Sequence, residues 1–175
     1  KAKEDFPKDL EMVVLSSSND FLYASINNVL RTLLEAIVLV ILLLFVFLRD
    51  LRSTLIPLVA TIVSLVGTFM FLYFLGFSIN LLTLFALVLS IGVVVDDAII
   101  VVEAVQSKFD AGYKSAHKAS VDAMHNVTTA LVTSTLVFMA VFIPVSLMGG
   151  TSGIFYTQFG LTMAVAVGIS AINAL

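Results

Sequence analysis

No cysteine or tryptophan occurs in the chain, and only three prolines do. Without thiols there can be neither disulfides nor thiolate metal sites, and redox chemistry gives no clue to the compartment. Charge is scarce as well: 12% of the residues are Asp, Glu, Lys or Arg, against about 25% in soluble domains. The net charge of -3 provides no basic footprint for nucleic acid. His117 and His125 lack the i, i+4 spacing of a helical metal pair, and no carboxylate set surrounds them, so no metal is expected. Gly149, Gly150 and Gly153 make an open turn with no following Lys-Ser or Lys-Thr pair, so nucleotide binding is unsupported.

What remains is apolar. Hydrophobic residues make up 60% of the 175 residues, with a mean hydropathy of +1.12. A water-soluble fold of this length cannot hide that much apolar surface. About 20 apolar residues cross a bilayer core, and five runs of that length lie between polar breaks. They cover about 29–48, 55–75, 81–105, 121–147 and 154–175. The expected fold is an all-α polytopic membrane protein, a bundle of five transmembrane helices with a short N-terminal extramembrane strand.

That strand is read at Leu10 to Leu15, after Pro7. The polar cluster Ser16 to Asp20 offers a turn and an N-cap for the first long helix. Residues 1–28 are too few for a core of their own and look like the end of an extramembrane domain. The sequence opens KAKEDFPKDLEMVVL without methionine or a secretory signal, and the fifth run reaches Leu175 without a stop signal. An excerpt of a longer chain is therefore expected.

Orientation follows from lysine and arginine in the short loops. Arg49 and Arg52 lie between the first two runs, and Lys108, Lys114 and Lys118 between the third and fourth. The loops Gly76 to Asn80 and Met148 to Gly153 hold none. The basic loops belong in the cytoplasm, which places the N-terminal tail on the opposite side.

Within the third run stand two adjacent aspartates, Asp96 and Asp97. A carboxylate near mid-membrane costs about 2.5 to 3.5 kcal/mol on insertion scales, and an intramembrane ionisable residue marks a functional site by default. Neighbours on a helix diverge by about 100°, so the two carboxylates do not share a face. Asp97 continues a seven-residue series with Ser90 and Thr83 towards the outer side, whereas Asp96 aligns with Gly92 and Glu103 towards the cytoplasm. Thr83, Ser90 and Glu103 are thus candidates for a proton path. No basic residue lies at the centre of any run, since Arg31 and Arg49 stand at run ends. A cation for the pair must come from another sequence, or one or both aspartates hold a proton.

Other polar residues read as architecture. Glu35, about one turn into the first run, reaches the outer interface. Pro57 falls in the first turn of the second run, where a missing amide is harmless, and Pro144 kinks the outer end of the fourth. His125, Thr128, Thr129, Thr133, Ser134 and Thr135 serve helix packing in the fourth.

The block GVVVDDAIIVVE (Gly92 to Glu103), with LRSTLIP (Leu51 to Pro57), GFSIN (Gly76 to Asn80) and GGTSGIFYTQF (Gly149 to Phe159), resembles the resistance-nodulation-division superfamily, hydrophobe/amphiphile efflux branch. The order and spacing of the blocks match transmembrane helices two to six of the first half of such a pump. The resemblance implies a proton-driven antiporter in the inner membrane of a Gram-negative bacterium, with no cofactor beyond the proton as coupling ion. It implies that residues 1–28 end a periplasmic porter domain and that 29–175 belong to the transmembrane domain. It also implies a homotrimer, a periplasmic adaptor, an outer-membrane channel, and lysine and arginine partners for Asp96 and Asp97 on helices of a second half. Three alternatives stand beside it. One is the same superfamily exporting a metal ion, lipid or protein. Another is a passive channel or scaffold, and the third an intramembrane aspartyl protease, whose two carboxylates come from different helices.

Overall fold

The computed structural model describes residues 18–48, 50–150 and 152–175. Five helices follow one another: α1 (Ser18–Leu48), α2 (Leu51–Phe74), α3 (Leu81–Asp110), α4 (Ala116–Ser146) and α5 (Gly153–Ala174). Each is long and apolar enough to cross a membrane, so the chain is a multi-pass helical membrane protein. No strand occurs among the described residues. The expected strand Leu10 to Leu15 and the loop residue Arg49 lie outside them.

α2 and α4 begin before their apolar segments because their caps sit in the polar flanks, while α3 begins with its segment at Leu81. Asp50 accepts from the Ser53 amide (3.0 Å) and begins α2. Asn80 accepts from the amides of Leu82 (2.9 Å) and Thr83 (3.0 Å) and begins α3. Ser115 accepts from the Lys118 amide (3.5 Å) before α4. Three expectations change as a result. Glu35 stands deep inside α1, which begins at Ser18, and it is exposed and paired with Arg31 at 2.8 Å. Pro57 is not in the first turn, since α2 begins at Leu51. Lacking an amide there, it leaves the Ser53 carbonyl without its helical donor. Lys108, read in the loop after the third run, lies on α3 itself, which continues to Asp110.

The central helix is α3, which packs against all four others, whereas α1 touches only α2 and α3. Half of the apolar stretch of α3 is buried (50%), against 11% for α1 and for α4. Between α1, α2 and α3 lies an aliphatic cluster of Val29, Leu44, Leu65, Leu84, Leu87, Ile91 and Val95. The opposite side of α3 meets α5, whose buried face is built of small residues, among them Gly160, Ala164, Ala166, Ser170 and Ala171. Small residues let membrane helices approach closely, where packing and hydrogen bonds rather than hydrophobicity drive association.

At Gly160 α5 lies against the backbone of α4. A Cβ there would lie 2.8 Å from the Phe142 carbonyl oxygen and 2.9 Å from the Ser146 amide nitrogen, both rigid backbone of α4. Next to it the Thr157 hydroxyl donates to the Ser146 carbonyl at 2.7 Å, and Phe159 meets Phe142 edge to face. At Gly168 the obstacle is the flexible tip of Met139, at 2.7 Å. Gly160→Ala is therefore expected to part α4 from α5 and cost about 1 to 3 kcal/mol, while Gly168→Ala is tolerated. Thermal unfolding of the two variants in detergent checks this, and equal stability would refute it.

Candidate functional site

Buried polar groups in this bundle are almost uniform in kind. Among the described residues every buried polar or charged side chain is a serine or threonine, with the single exception of Asp97. Most of these hydroxyls close back on their own helix. Thr54 donates to Asp50 O (2.9 Å), Thr61 to Pro57 O (2.8 Å), Thr68 to Ser64 O (2.7 Å), Ser90 to Leu87 O (2.8 Å) and Thr162 to Gln158 O (2.6 Å). Such fold-back bonds satisfy a hydroxyl without a partner helix. A carboxylate on a helix has no fold-back donor, because the amides of the preceding turn are already in use.

Asp97 must therefore look across the bundle. It is 5% exposed, and its Oδ2 accepts from the Ser170 hydroxyl of α5 at 2.9 Å. The Ser170 oxygen also lies 3.4 Å from the Val94 carbonyl of α3, so it is held between the two helices. Ser170 is itself 3% exposed. Asp97 is thus bonded by one neutral donor, and among the described residues no ion pair includes it.

The two aspartates part company as their 100° divergence requires. Asp96 is exposed, as are Gly92 and Glu103 on its stripe, whereas Thr83, Ser90 and Asp97 are all buried. The centre of α3 falls between Val95 and Asp96, with fifteen residues on either side. The paired carboxylates accordingly stand at mid-helix, one facing inward and one outward.

The inward stripe is not a continuous wire. Thr83 is occupied in a capping box, donating to the Asn80 carbonyl (2.9 Å) and accepting the Asn80 amide (2.9 Å). Seven residues separate its members, a rise of about 10.5 Å, so direct hydrogen bonds cannot join them. Asn80 also donates through Nδ2 to Gln158 Oε1, which ties the outer end of α3 to α5. Glu103 lines a cleft of about 300 Å³ with Leu48, Ile99, Gln106, Ser107 and Asp110.

Sequence reasoning placed both aspartates and missed Ser170. A partial signal was present in the run of small residues on α5, which marks a face that neighbouring helices approach without saying which helix meets it. The reading of α4 needs correction. Thr128 donates to Met124 O (2.6 Å), while Ser134 and Thr135 share Leu131 O (2.9 and 2.8 Å). His125, Thr129 and Thr133 are exposed. Only Thr135 of this set is buried, so these groups do not bond neighbouring helices. Tyr113 stands on the α3–α4 turn, and the Asp122 carboxylate of α4, by hydrogen bonding to its phenol and repelling its anion, pushes that phenol above its ordinary value. The two histidines are exposed, and no cluster suited to a metal occurs among the described residues.

Four membrane-crossing helices around a central fifth that bears an inward and an outward carboxylate define an α-helical membrane domain with ionisable groups at mid-span. Comparison with known proteins makes the class specific. The sequence pattern of the AcrB/AcrD/AcrF family matches residues 1–175, and the chain belongs to that family, within the resistance-nodulation-division superfamily. It is 41% identical over 175 residues to the toluene efflux pump membrane transporter TtgE of Pseudomonas putida, covering 100% of this chain and 17% of that protein. The multidrug export protein AcrF of Escherichia coli is 41% identical over 170 residues, 97% of this chain and 16% of its own length. The multidrug resistance protein MdtC of an Enterobacter species is 40% identical over 173 residues, 99% and 17% respectively. The chain thus spans about a sixth of the length of these curated relatives.

Ser170→Ala removes the one hydrogen bond that the structure gives the Asp97 side chain. An unsatisfied buried group costs about 1 to 3 kcal/mol, so the variant in the full-length protein should unfold at lower temperature in detergent, whereas Ser170→Thr keeps the donor and most of the stability. Equal loss in both would show that the volume of the side chain matters and its hydroxyl does not.

Proposed function

We propose that this segment is the proton-coupling part of an efflux transporter, with Asp96 and Asp97 as its proton relay. The observation that carries the reading is Asp97: the one ionisable side chain buried among the described residues, at mid-helix, met by a serine and by no cation. A stability role would be served better by an apolar residue, since a buried carboxylate costs free energy that one neutral donor does not repay. A group that must gain and lose a proton needs this weakly compensated setting.

Asp96 supports the same reading from the other side. It stands on an outward stripe of α3 with Leu89, Gly92 and Glu103, all exposed. An ionised group at that depth cannot face hydrocarbon and requires protein or water against it. Helices of a second half, carrying the lysine and arginine that the family resemblance implies, would cover this stripe and neutralise Asp96. Arrival of a proton then weakens the attraction between the halves, and its departure restores it. Each proton crossing brings about 2.3 kcal/mol per 100 mV of membrane potential. Repetition of this change moves the halves against each other. Thr83, Ser90 and Glu103 mark the ends and middle of the proton's route, with water between them.

The names of the relatives speak of toluene efflux, multidrug export and multidrug resistance. An apolar or amphiphilic cargo is accordingly proposed, exchanged against protons at the bacterial inner membrane. In this reading the N-terminal segment is periplasmic, and the assembly is a homotrimer joined by a periplasmic adaptor and an outer-membrane channel. The proton is the coupling ion, and the chain is no enzyme.

Asp97→Asn and Asp96→Asn, each in the full-length transporter, are expected to reduce dye efflux from energised cells to that of cells lacking the pump. Amounts of protein and trimer should be unchanged, because the amide oxygen of an asparagine in place of Asp97 can still accept from Ser170. Efflux retained by both variants would overturn the relay.

A further inference from the structure

One buried hydroxyl has no partner. Ser64 of α2 is 1% exposed, and its Oγ is the only buried side-chain polar atom among the described residues that bonds no other group of the chain. Its neighbours on the same helix, Thr61 and Thr68, fold back to the carbonyls four residues earlier. For Ser64 that carbonyl belongs to Ala60, which takes the Asn173 side-chain amide of α5 instead, at 3.4 Å.

The register of α2 against α5 fixes where this hydroxyl lies. Ala60 meets Asn173, and a Cβ on Gly67 would lie 3.3 Å from Ile169, so the two helices run antiparallel. Ala60, Ser64 and Gly67 are spaced i, i+4 and i+7, which puts all three on the face towards α5. Counted at 1.5 Å rise per residue in each helix, Ser64 is level with Ile169 from the Ala60–Asn173 contact and with Ile172 from the Gly67–Ile169 contact. These two values bracket Ser170, the serine that bonds Asp97. Three polar groups from three helices, Ser64, Ser170 and Asp97, share one depth at the junction of α2, α3 and α5.

We infer that Ser64 and Ser170 bind a single internal water that carries the Asp97 hydrogen bond across to α2, making Ser64 a positioning residue for the carboxylate. The two hydroxyls make no direct hydrogen bond, and a bridging water joins polar groups that do not touch. Buried waters have two to four polar partners, and three are at hand. The Ser64 hydroxyl donates to the water, which donates to the free lone pair of Ser170, whose own hydrogen goes to Asp97. A second hydrogen of the water faces the carboxylate. No donor is wasted, and the orphan acquires its partner. Protonation of Asp97 reverses its role from acceptor to donor, which reorients Ser170 and the water and is felt on α2.

This inference rests on Asp97 as a protonating group, and the test separates the two. Infrared difference spectra of the purified full-length transporter between low and high pH would be taken in ordinary water and in water enriched in the heavy oxygen isotope. The wild type is expected to show a water stretching band that shifts with the heavier isotope, and Ser64→Ala to lose it. Ser64→Thr should retain the band and also near-normal transport, whereas Ser64→Ala lowers the transport rate with little change in apparent cargo affinity. Thermal stability adds an independent reading, since deleting a hydroxyl that truly lacks a partner raises the unfolding temperature, and deleting a water ligand does not. A band that survives Ser64→Ala, no band in the wild type, or a more heat-stable Ser64→Ala would overturn the assignment. The carboxylic acid band that disappears in Asp97→Asn reports the relay itself. Its absence from the wild type would sink that reading, while loss of the water band alone leaves it standing.

Discussion

A carboxylate enclosed by helices in lipid must find its hydrogen-bond donor within the protein, and this one constraint orders the bundle. Asp97 cannot be served by its own helix, so α3 needs a neighbour whose side chain donates and whose surface is shallow enough to bring that donor close. α5 meets both demands, with Ser170 at 2.9 Å and glycine and alanine along the face towards its neighbours. The same shallowness lets α4 settle on α5 at Gly160, where no Cβ fits. Aliphatic packing is left to the other side of α3, against α1 and α2. The bundle is thus divided, with oil on one flank of its central helix and hydroxyls on the other.

This division explains how much polarity the interior tolerates. Ser and Thr can be buried in a membrane helix because they hand their hydrogen to a carbonyl one turn back, and Thr54, Thr61 and Thr68 on α2 do so at seven-residue intervals. Such groups line a helix contact without depending on it. Among the described residues the polar groups that do depend on a contact are few: Ser170 with Asp97, Thr157 with the Ser146 carbonyl, Asn80 with Gln158, and Asn173 with Ala60. Each involves α5. It carries the interhelical hydrogen bonds, while α3 carries the charge.

The sequence made some of this plain and hid the rest for physical reasons. Hydropathy located five helices because lipid demands about 20 apolar residues from each. It misjudged the starts of α2 and α4 because the caps Asp50 and Ser115 lie in the polar flanks, while the start of α3 after Asn80 came out as read. Pro57 suffered from the same error: the apolar run starts two residues before it, but the helix starts at Leu51. Helical periodicity separated Asp96 from Asp97 correctly, since a 100° turn needs no tertiary information. Ser170 stayed hidden because its role depends on which helix α3 meets, and pairing between helices leaves no mark in a single period. The polar stretch of α4 misled in the opposite direction, since most of its hydrogen-bonded hydroxyls serve their own backbone.

The opposed aspects of Asp96 and Asp97 bear on why two adjacent carboxylates should occur at all. A single buried aspartate could bind a proton, but its state would be felt only by the helices around it. A single outward aspartate would respond to whatever covers α3 and leave the inner bundle unaffected. On neighbouring residues the two share one rigid stretch of helix. In the proposed relay, ionisation on the outward face is felt on the inward face, and through Ser170 the change reaches α5. Within the proposed relay, adjacency is what converts an event at an interface into a rearrangement of hydrogen bonds inside the bundle. Spacing the pair by a full turn would put both on one face and lose that conversion.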